Sequence, residues 1–481
     1  MRTNRRRFLQ GSLAAAATLT IAGTKSSGRV LGANDTIRIG VAGIHGRGGE
    51  HIKTFGGMPH VQVTYLIDPD STLFASRAAA IEKQTGTAPT CVQDIREALD
   101  DKNLDAVSVA TCNHWHSLIT IWACQAGKDV YVEKPCSHNV FEGRKCVEAA
   151  AKYGRIVQHG TQQRGGGAGA GRLREIAAGK RGKLLVSRGT CFKLRTSIGF
   201  KKPEAPPATL DYNIWLGPAP QQPFHRNLVH YNWHWFWDTG NGEIGNQGVH
   251  EMDFARWMIP NATLPRSVFS LGGRFGYKDQ GQTPNTQIAV FDFDGVTLLF
   301  EVRGLPPNGR VSLGTKEQPY NKNVVGNDQV FDKDAAVSPV EIRSVPGVKN
   351  PAAPRGPGSS VFHNFIACVR SRRAQDLDAH ILEAHYSAAL CHLANISYRL
   401  GEEVPFDQKS GRLGEDKVAS EAFASMQEHL KDNGVVLEDS KVRLGRFLRF
   451  DARTEKFIDD PAADKLLTCE YRKPFVVPEV V

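Results

Sequence analysis

Two segments of the chain carry side chains that could transfer protons. Lys134 lies two residues after the end of a short apolar run, and a partly buried lysine beside a positive charge has a lowered pKa, closer to what a base needs. Asn246, His250 and Asp253 are spaced four and three residues apart, so they share one helix face if Gly245 begins a helix. A surface lysine and a histidine packed in the core are the alternatives. An amine combined with an imidazole favours acid–base chemistry.

A third segment is suited to a carbohydrate. Trp233, Trp235 and Trp237 lie within residues 230–238, where aromatic residues are far denser than the 8% of the whole chain. Flat rings stack on the apolar faces of sugars while neighbouring polar groups bond the hydroxyls. The same alternation also describes a strand packed in a core, so both interpretations stay open. Arg164, beside a glycine-rich run, is a further candidate for substrate contact.

A glycine-rich turn marks a candidate cofactor site. Residues 43–49 read Gly-Ile-His-Gly-Arg-Gly-Gly directly after an apolar run. In dinucleotide-binding folds such a turn brings backbone amides and the positive end of a helix dipole to the pyrophosphate. His45 stands where the usual motif has its middle glycine, and Gly46 could replace it through a shifted turn. A plain glycine-rich turn is the alternative.

Asp68 strengthens the interpretation as a cofactor site. It ends the next apolar run, twenty residues after Gly48, where a carboxylate can accept hydrogen bonds from the adenosine ribose. Its negative charge would repel a 2′-phosphate, which favours NAD over NADP. The alternative is that Asp68 caps a helix that begins near Ser71.

The elements around these residues alternate between strand and helix from residue 36 to residue 158. That alternation predicts an α/β domain with a doubly wound parallel sheet. Strands are predicted at 36–41, 61–67, 105–110, 129–132 and 155–158, and helices at 71–84, 116–126 and 141–153.

The pattern changes after a glycine run at residues 165–171, which predicts a flexible hinge or loop. Longer strands are then predicted at 184–193, 267–275, 286–293 and 296–302. Asp294-Gly295 is a hairpin signal between the last two strands. We therefore predict a second, α+β domain with a mostly antiparallel sheet, followed by helices at 362–372 and 383–400.

Three motifs resemble one enzyme family. Residues 111–116 are similar to its T-P-N-x-x-H motif with Cys112 in place of proline, and residues 126–135 match A-G-K-x-V-x-x-E-K-P in full. Residues 240–253 resemble its G-x-G-x-L-x-D-x-G-x-H-x-x-D motif. From residue 36 to residue 400 the chain thus resembles the family of glucose-fructose oxidoreductase, inositol dehydrogenase and MocA. The resemblance implies an NAD-binding Rossmann domain and an open-faced α/β domain that often forms oligomers.

The resemblance also implies residue roles. The face that carries Asn246, His250 and Asp253 would point at the substrate, so we assign His250 as the main acid or base, Lys134 as its partner and Asp253 to substrate binding. Asn246 departs from the family, which usually has an acid there, and an amide can orient a group but cannot exchange a proton. The expected cofactor-binding residues are Gly43, His45, Gly46, Arg47, Gly48, Asp68, Thr111, Asn113, His116, Glu133 and Lys134.

The first 33 residues look like a twin-arginine export signal. Three arginines at 5–7 precede an apolar run of about 12 residues, too short for the roughly 20 that cross a bilayer. We expect an exported, periplasmic protein without stable membrane insertion after signal cleavage; a basic arm on a cytoplasmic protein is the alternative. The cofactor must then stay bound, because no free NAD pool exists outside the cytoplasm.

Composition limits the other possibilities. The net charge of +10 minus the 6 basic residues of the first 33 leaves about +4, which gives no reason to expect nucleic acid binding. Nine scattered cysteines without a C-x-x-C pair predict neither a metal site nor a disulfide scaffold. The predicted division is a signal peptide at 1–33, an NAD-binding domain at 34–160, a substrate and oligomerisation domain at 161–407, and an extension at 408–481.

These observations predict an NAD(H)-dependent oxidoreductase that acts on a hydroxyl of a sugar, polyol or glycoside and assembles as a homo-oligomer. A second hypothesis is a redox-neutral glycoside hydrolase or lyase, in which transient oxidation acidifies the neighbouring C–H, the aglycone is eliminated and the hydride is returned. Members of the resembled family, the NAD-dependent N-acetylgalactosaminidases, work this way. A third hypothesis is a non-catalytic sugar-binding protein, which His45 and Asn246 alone suggest.

Overall fold

The computed structural model describes residues 35–306, 310–313, 316–319, 324–353, 360–407 and 417–481. The predicted export signal at 1–33 lies outside these described residues. Within them, no helix combines the length and the apolar character that crossing a bilayer requires.

Six parallel strands form the first sheet. They are β1 Ile37–Ala42, β2 Val61–Ile67, β3 Thr90–Val92, β4 Ala106–Val109, β5 Asp129–Val132 and β6 Val157–His159. The helices that connect them are α1 Gly46–Gly56, α2 Phe74–Thr85, α3 Ile95–Leu99, α4 Asn113–Gln125 and α5 Val140–Lys152. The strand order is β3-β2-β1-β4-β5-β6, so it reverses between β1 and β4, where sheets of this kind bind ligands at the carboxyl ends of their strands.

The central strands are apolar because both faces of the sheet are covered. Ile39 and Val41 of β1 pack in one cluster with Phe55 of α1, while Val107 and Val109 of β4 belong to the cluster on the other side, with α4 and α5. The five predicted strands are present to within two residues at each end. The prediction missed β3, a three-residue strand with one exposed residue and no clear alternation.

A larger mixed sheet follows. Its strands are β7 Lys183–Phe192, β8 Ser267–Gly273, β9 Thr286–Asp292, β10 Thr297–Arg303, β13 Val324–Asp332, β14 Glu402–Pro405, β15 Lys441–Leu444, β16 Leu448–Asp451 and β17 Lys456–Phe457, while β11 Arg310–Leu313 and β12 Lys316–Pro319 pair separately. Among the described strand pairs of this sheet, β7 and β10 are parallel and the others antiparallel. The predicted hairpin is confirmed, with Asp294 at φ 57° and Gly295 at φ 89° between β9 and β10.

Eight described helices follow β6 in the chain, and some of them cover the two faces of the mixed sheet. They are α6 Gly167–Ala177, α7 Tyr212–Leu216, α8 Gly242–Gly245, α9 Gly248–Trp257, α10 Val361–Ser371, α11 Ile381–Arg399, α12 Lys417–Asp432 and α13 Pro461–Asp464, with short 3-10 turns at Ser71–Leu73, Gln162–Gly165, Asn232–Trp235, Ala374–Asp376 and Lys465–Leu467. Helices α9 and α11 fill one face of the sheet, where Met252 and Leu393 contact a core that contains Phe300. On the other face, Met426 and Leu430 of α12 pack with Leu271.

The predicted hinge at 165–171 is wrong, because most of this glycine run forms the start of α6. The glycines there serve packing. A Cβ on Gly169 would lie 2.4 Å from the ring of Trp257, so the close approach of α6 to α9 requires a residue without a side chain.

The carboxyl-terminal extension reaches the first sheet again. Phe475 and Val477 are buried in the cluster that contains α4 and α5. Before them, Glu455 accepts hydrogen bonds from Arg144 of α5 and lies 3.0 Å from Nε2 of His385 in α11. The last residues therefore tie the two halves of the chain together through an apolar contact and a charged contact.

We expect the variant Glu455→Gln to lower the free energy of unfolding by roughly 2 kcal/mol, because Arg144 loses its charged partner. Burial alone would raise the pKa of Glu455, but His385 and Arg144 lower it to about 2. The carboxylate therefore stabilises the fold above its ordinary pKa near 4.5, and this contribution is lost as the pH falls from there to about 2. Denaturant unfolding at several pH values measures the effect. The exposed Glu438→Gln is the control, and equal losses in the two variants would contradict the prediction.

Candidate active site

A cleft of about 620 Å³ opens at the carboxyl ends of β1, β2, β4 and β5. The first sheet supplies its floor, with the glycine-rich turn, Asp68 and Lys134 among the lining residues. Its opposite wall comes from residues 193–241, which we call the strap, and from Asn246 and Gln247. The cleft thus lies where the reversal of strand order predicts a ligand.

The glycine-rich turn has the shape that a pyrophosphate site needs. Gly43 has φ +78°, and a Cβ on it would lie 2.5 Å from the carbonyl oxygen of Ala110. A Cβ on Gly48 would lie 1.7 Å from the carbonyl oxygen of Gly43, whereas one on Gly46 would meet nothing within 4 Å. The first and last glycines are therefore required for the turn, which leaves the first amides of α1 at the cleft. His45 precedes α1 as its N-cap residue without making a side-chain cap.

Asp68 lies directly under this turn. Its Oδ2 accepts a hydrogen bond from the backbone N–H of Ile44 at 2.8 Å and its Oδ1 accepts one from Asp70 at 2.9 Å. Burial raises its pKa to about 6. Asp70, and not Asp68, caps the short helical turn that begins at Ser71, because its side chain accepts a hydrogen bond from the backbone N–H of Thr72. Asp68 therefore remains at the cleft, and turn and carboxylate together fit the phosphate and ribose of a dinucleotide.

Glu133 binds the basic groups next to the turn. Its Oε1 accepts hydrogen bonds from Nε of Arg47 at 2.7 Å and from Nε2 of His51 at 3.0 Å. Burial would raise the pKa of Glu133, but the bond from His51 and the charges of His51, Arg47 and Lys134 hold it well below its usual range. Two of the predicted cofactor residues, Arg47 and Glu133, thus form a fixed pair at the edge of the cleft.

The residues of the 111–116 motif also line the cleft. The ring of His116 bonds the carbonyl oxygens of Pro135 at 2.6 Å and Thr111 at 3.0 Å, and burial lowers its pKa. The amide of Asn113 donates to Asn241 at 2.9 Å. His116 therefore positions the backbone that carries Lys134, and Asn113 connects the first sheet to the end of the strap.

Lys134 points across the cleft toward Asn246. Its Nζ donates to the backbone oxygen of Asn246 at 2.9 Å and to Oδ1 at 3.3 Å. Burial lowers the pKa of Lys134, although Glu133 and Glu243 oppose that shift. The Lys134–Pro135 bond is cis. An amine with a lowered pKa at the end of a parallel strand is suited to proton transfer.

The helix that was predicted to carry Asn246, His250 and Asp253 on one face is interrupted. Gly245 ends α8, and α9 begins at Gly248, so Asn246 lies in the break. His250 lies outside the lining of the cleft but close to Lys134; burial, and then the charge of Lys134, lowers its pKa to about 3. Asp253 is turned away from both and is fully buried.

Arg164 and Asp253 do not reach the cleft, contrary to their predicted role in substrate binding. Nε of Arg164 donates to Oδ2 of Asp253 at 2.7 Å, and both side chains are 1% exposed. Arg164 also pairs with Glu383 of α11 at 3.1 Å. Two charges that are so deeply buried need each other as partners, so this pair joins α9 to α11 and the turn before α6.

The three tryptophans predicted to bind the substrate lie in three different environments. Trp233 lines the cleft together with Trp215. Trp235 is buried beneath the cleft, with the guanidinium of Arg195 5.3 Å from its ring, and Trp237 lies outside the cleft beside Tyr398 and Arg399. The segment forms a 3-10 turn at Asn232–Trp235 instead of a strand. Of the predicted aromatic platform, Trp233 alone lies at the cleft.

Sequence reasoning missed several polar residues of the cleft wall. These residues are Lys193, Arg195, Tyr231, His234 and Gln247. Four of them lie in the strap, where no periodic pattern marks which side chains turn inward. Gln247 lies in the break before α9, which the motif of residues 240–253 did not reveal.

The strap is attached to the turn through two histidines. The rings of His45 and His230 are stacked, with centroids 3.8 Å apart and planes 18° apart, and Nε2 of His230 lies 3.0 Å from Oδ2 of Asp70. Their nitrogen and oxygen atoms lie within 4.8 Å of one another. Because the ring planes are nearly parallel, one metal ion cannot lie in the plane of both rings. The two histidines instead connect the glycine-rich turn to the strap at the cleft.

Comparison with known proteins agrees with this architecture. Residues 37–161 match the NAD-binding Rossmann-fold domain of the Gfo/Idh/MocA oxidoreductase family, and residues 179–270 match the C-terminal alpha/beta domain of that family. The chain therefore belongs to this family, and its first domain is an NAD-binding domain.

Individual relatives are more distant. Inositol 2-dehydrogenase 1 of Saccharopolyspora erythraea is 30% identical over 235 residues, which are 48% of this chain and 57% of that protein. A glycosyl hydrolase family 109 protein of Shewanella pealeana is 27% identical over 172 residues, 32% of this chain and 38% of that protein. The chain thus spans 57% of the first of these curated relatives and 38% of the second. The WlbA dehydrogenase of Bordetella pertussis, solved with NADH and UDP-GlcNAcA, shares the fold with a TM-score of 0.51 at 19% identity, covering 76% of this chain and 97% of that one.

We expect Asp68→Asn to raise the affinity for NADP relative to NAD by about tenfold or more, because the carboxylate that repels the 2′-phosphate is removed. Since burial raises the pKa of Asp68 to about 6, the unaltered protein should discriminate best above pH 6 and progressively less as the pH falls below it. Titrations of both cofactors followed by tryptophan fluorescence measure this ratio. The exposed Asp100→Asn serves as the control. An unchanged ratio in Asp68→Asn would assign Asp68 to turn structure alone.

Proposed function

We propose that the protein is an NAD(H)-dependent oxidoreductase that acts on a hydroxyl of a sugar, polyol or glycoside and retains its cofactor. The observation that carries this proposal is the position of Lys134, whose amine shares one cleft with the glycine-rich turn and Asp68. NAD, when bound, supplies the acceptor for hydride. The turn, Asp68, Thr111 and Asn113 would hold it.

In this proposal the proton of the substrate hydroxyl passes to Nζ of Lys134. The lowered pKa of Lys134 favours the free amine that this transfer needs. His250, with a pKa lowered to about 3, stays neutral near neutral pH and is a weak base, so it is suited to orienting neighbouring groups. These pKa shifts, and the position of Lys134 in the cleft lining and of His250 outside it, favour Lys134 as the main base and His250 as its partner, the reverse of the assignment from sequence. Asn246 positions the amine through its two oxygen atoms.

Two observations support a carbohydrate or polyol as substrate. Trp215 and Trp233 present rings to the cleft, beside hydrogen-bonding groups from Asn246 and Gln247. Relatives named inositol 2-dehydrogenase include the one from Saccharopolyspora erythraea and a scyllo-inositol 2-dehydrogenase (NAD(+)) of Bacillus subtilis, 29% identical over 154 residues, 32% of this chain and 44% of that protein. Rings combined with polar groups suit a polyhydroxylated ring.

The variant Lys134→Ala is expected to lower kcat by about 100-fold to 10,000-fold, because the group that accepts the hydroxyl proton is lost. Its affinity for NAD should change little, since the turn and Asp68 are untouched. Steady-state rates with inositols and hexoses, together with NAD titrations, test both parts. The exposed Lys102→Ala is the control. Full activity in Lys134→Ala would remove Lys134 from the mechanism.

The strap supports retention of the cofactor. Its residue Thr209 accepts a hydrogen bond from Ser71 N–H at 3.0 Å, and Asp211 N–H donates to the Pro69 carbonyl at 2.8 Å. These bonds close the strap over the strand end that carries Asp68, and the His45–His230 stack closes the mouth of the cleft. We further propose export through the twin-arginine signal in residues 1–33, because a retained cofactor lets the enzyme work without a pool of free NAD.

Protein purified from a host with a working twin-arginine pathway is expected to contain about one NAD per chain after denaturation, measured by mass spectrometry. His230→Ala removes the stack and the contact with Asp70, so NAD should dissociate about tenfold faster. His363→Ala, an exposed histidine on α10, is the control. Protein that lacks NAD and takes up none when it is added would contradict both cofactor binding and retention.

A redox-neutral glycoside hydrolase or lyase is the second candidate. The relatives named glycosyl hydrolase family 109 proteins favour it, and a cofactor that never leaves suits a reaction that returns its hydride. Incubation of the NAD-loaded protein with aryl glycosides separates the two candidates. Free reducing sugar without net NADH identifies the hydrolase or lyase, whereas a ketone that accumulates with a second carbonyl substrate identifies the oxidoreductase.

A further inference from the structure

The wall of the cleft opposite the first sheet holds a second lysine. Lys193 follows β7 directly, lies half-buried at the cleft, and donates from Nζ to Oε1 of Gln247 at 3.2 Å. The neighbouring residue, Asn246, binds Nζ of Lys134 in the same way. The amino groups of two lysines are thus held by two consecutive amide side chains at one end of the cleft.

The carboxylates around this end have other partners. Glu243 is held by Arg195 through two bonds of 2.7 and 2.8 Å, and Glu133 is held by Arg47 and His51. Among the residues that the structure describes, Lys193 forms no ion pair within 4 Å. Its charge therefore lacks a counterion at the cleft.

Glu251 does not supply the missing counterion. It lies beneath Gln247, with its two carboxylate oxygens 3.5 and 3.4 Å from Nε2 of that residue, and is 1% exposed. Burial raises its pKa to about 7, so a substantial fraction of it is uncharged at neutral pH. The acidic residues of the cleft lining are Glu133, whose partners are named above, and Asp68, which lies under the glycine-rich turn.

Groups that donate hydrogen bonds continue along the same wall. Arg195 donates to the hydroxyl of Tyr231 at 3.1 Å, and that hydroxyl also lies 3.4 Å from the amide nitrogen of Asn246. The charge of Lys193 is close enough to Lys134 to contribute to the lowered pKa of that amine. Like charges held this close are stabilised when an anion binds between or beside them.

We infer that the substrate carries an anionic group, as a uronate or a sugar phosphate does, and that this group binds to Lys193 at the strap side of the cleft. The inference rests on the proposed function, since it places the reacting hydroxyl at Lys134. It assigns Lys193 to substrate selection, with the anion held away from the amine that takes the proton. A neutral sugar would leave the ammonium of Lys193 without a charged partner.

The experiment compares matched sugars on the NAD-loaded full chain. D-glucose, D-glucuronate and D-glucose 6-phosphate, and the corresponding galactose series, are titrated by calorimetry and assayed for NADH formation. We expect at least one acid to bind about tenfold or more tightly than its neutral counterpart. Lys193→Gln should remove that preference and raise KM for the acid far more than for its neutral counterpart, whereas Lys193→Arg should keep the preference. Lys201→Gln, an exposed lysine of the strap, is the control.

The two acids distinguish the two classes of substrate. Tighter binding of the sugar phosphate would identify a sugar phosphate as the substrate, and tighter binding of glucuronate would identify a uronate. Neutral sugars that bind as tightly as both acids, or an acid preference that survives in Lys193→Gln, would overturn the inference while the oxidoreductase proposal stands. A chain that binds no NAD and forms no NADH would overturn the proposed function instead. Calorimetry of the acids needs no turnover, so it still tests whether an anion binds at Lys193 in a chain that forms no NADH.

Discussion

The buried carboxylate of Glu133 is the interaction on which the rest of the site depends. It is 4% exposed, and it receives hydrogen bonds from Arg47 and His51 of α1 and, at 3.2 Å, from the backbone N–H of Lys134. A carboxylate so far from water is stable only while these donors hold it. The same requirement therefore fixes the helix that follows the glycine-rich turn, the end of β5, and the backbone of the proposed base. A Cβ on Gly160, which directly follows β6, would lie 2.9 Å from this carboxylate. That position therefore requires a residue without a side chain.

Polar contacts also decide how the two sheets face each other. His116, Asn113 and Asn241 connect the strand ends of the first sheet to the strap and to Lys134 through short hydrogen bonds. Farther from the cleft, the contact of Glu455 with Arg144 and His385 joins helices from both halves, and the Arg164–Asp253 pair joins the turn before α6 to α9. Directional bonds of this kind favour one arrangement of the halves, and a proton-transfer site needs that because a small displacement of the amine would separate it from the substrate.

Much of the first domain could be predicted from local pattern alone, because a parallel sheet that is buried on both faces requires continuous apolar runs. The turn, Asp68 and Lys134 were found for the same reason, since each begins within two residues of the end of such a run. Where tertiary contacts override the pattern, prediction failed. The glycines at 167–171 lie in a helix because Gly169 must pass close to Trp257, and the face expected to carry Asn246, His250 and Asp253 is divided by a break at Asn246.

The sequence by itself determined the strand and helix order, the glycine-rich turn with its acidic partner, and the family motifs that include Lys134, because these features follow from short-range periodicity and from residue types at fixed spacing. Only the tertiary structure decided which side chains share the cleft. The strap has no periodicity, so the sequence did not show that Trp233 and Lys193 line the cleft while Trp237 lies outside it, beside Tyr398. Likewise, Asp253 and Arg164 lie in the core because two buried charges must pair, a constraint that depends on residues 89 positions apart.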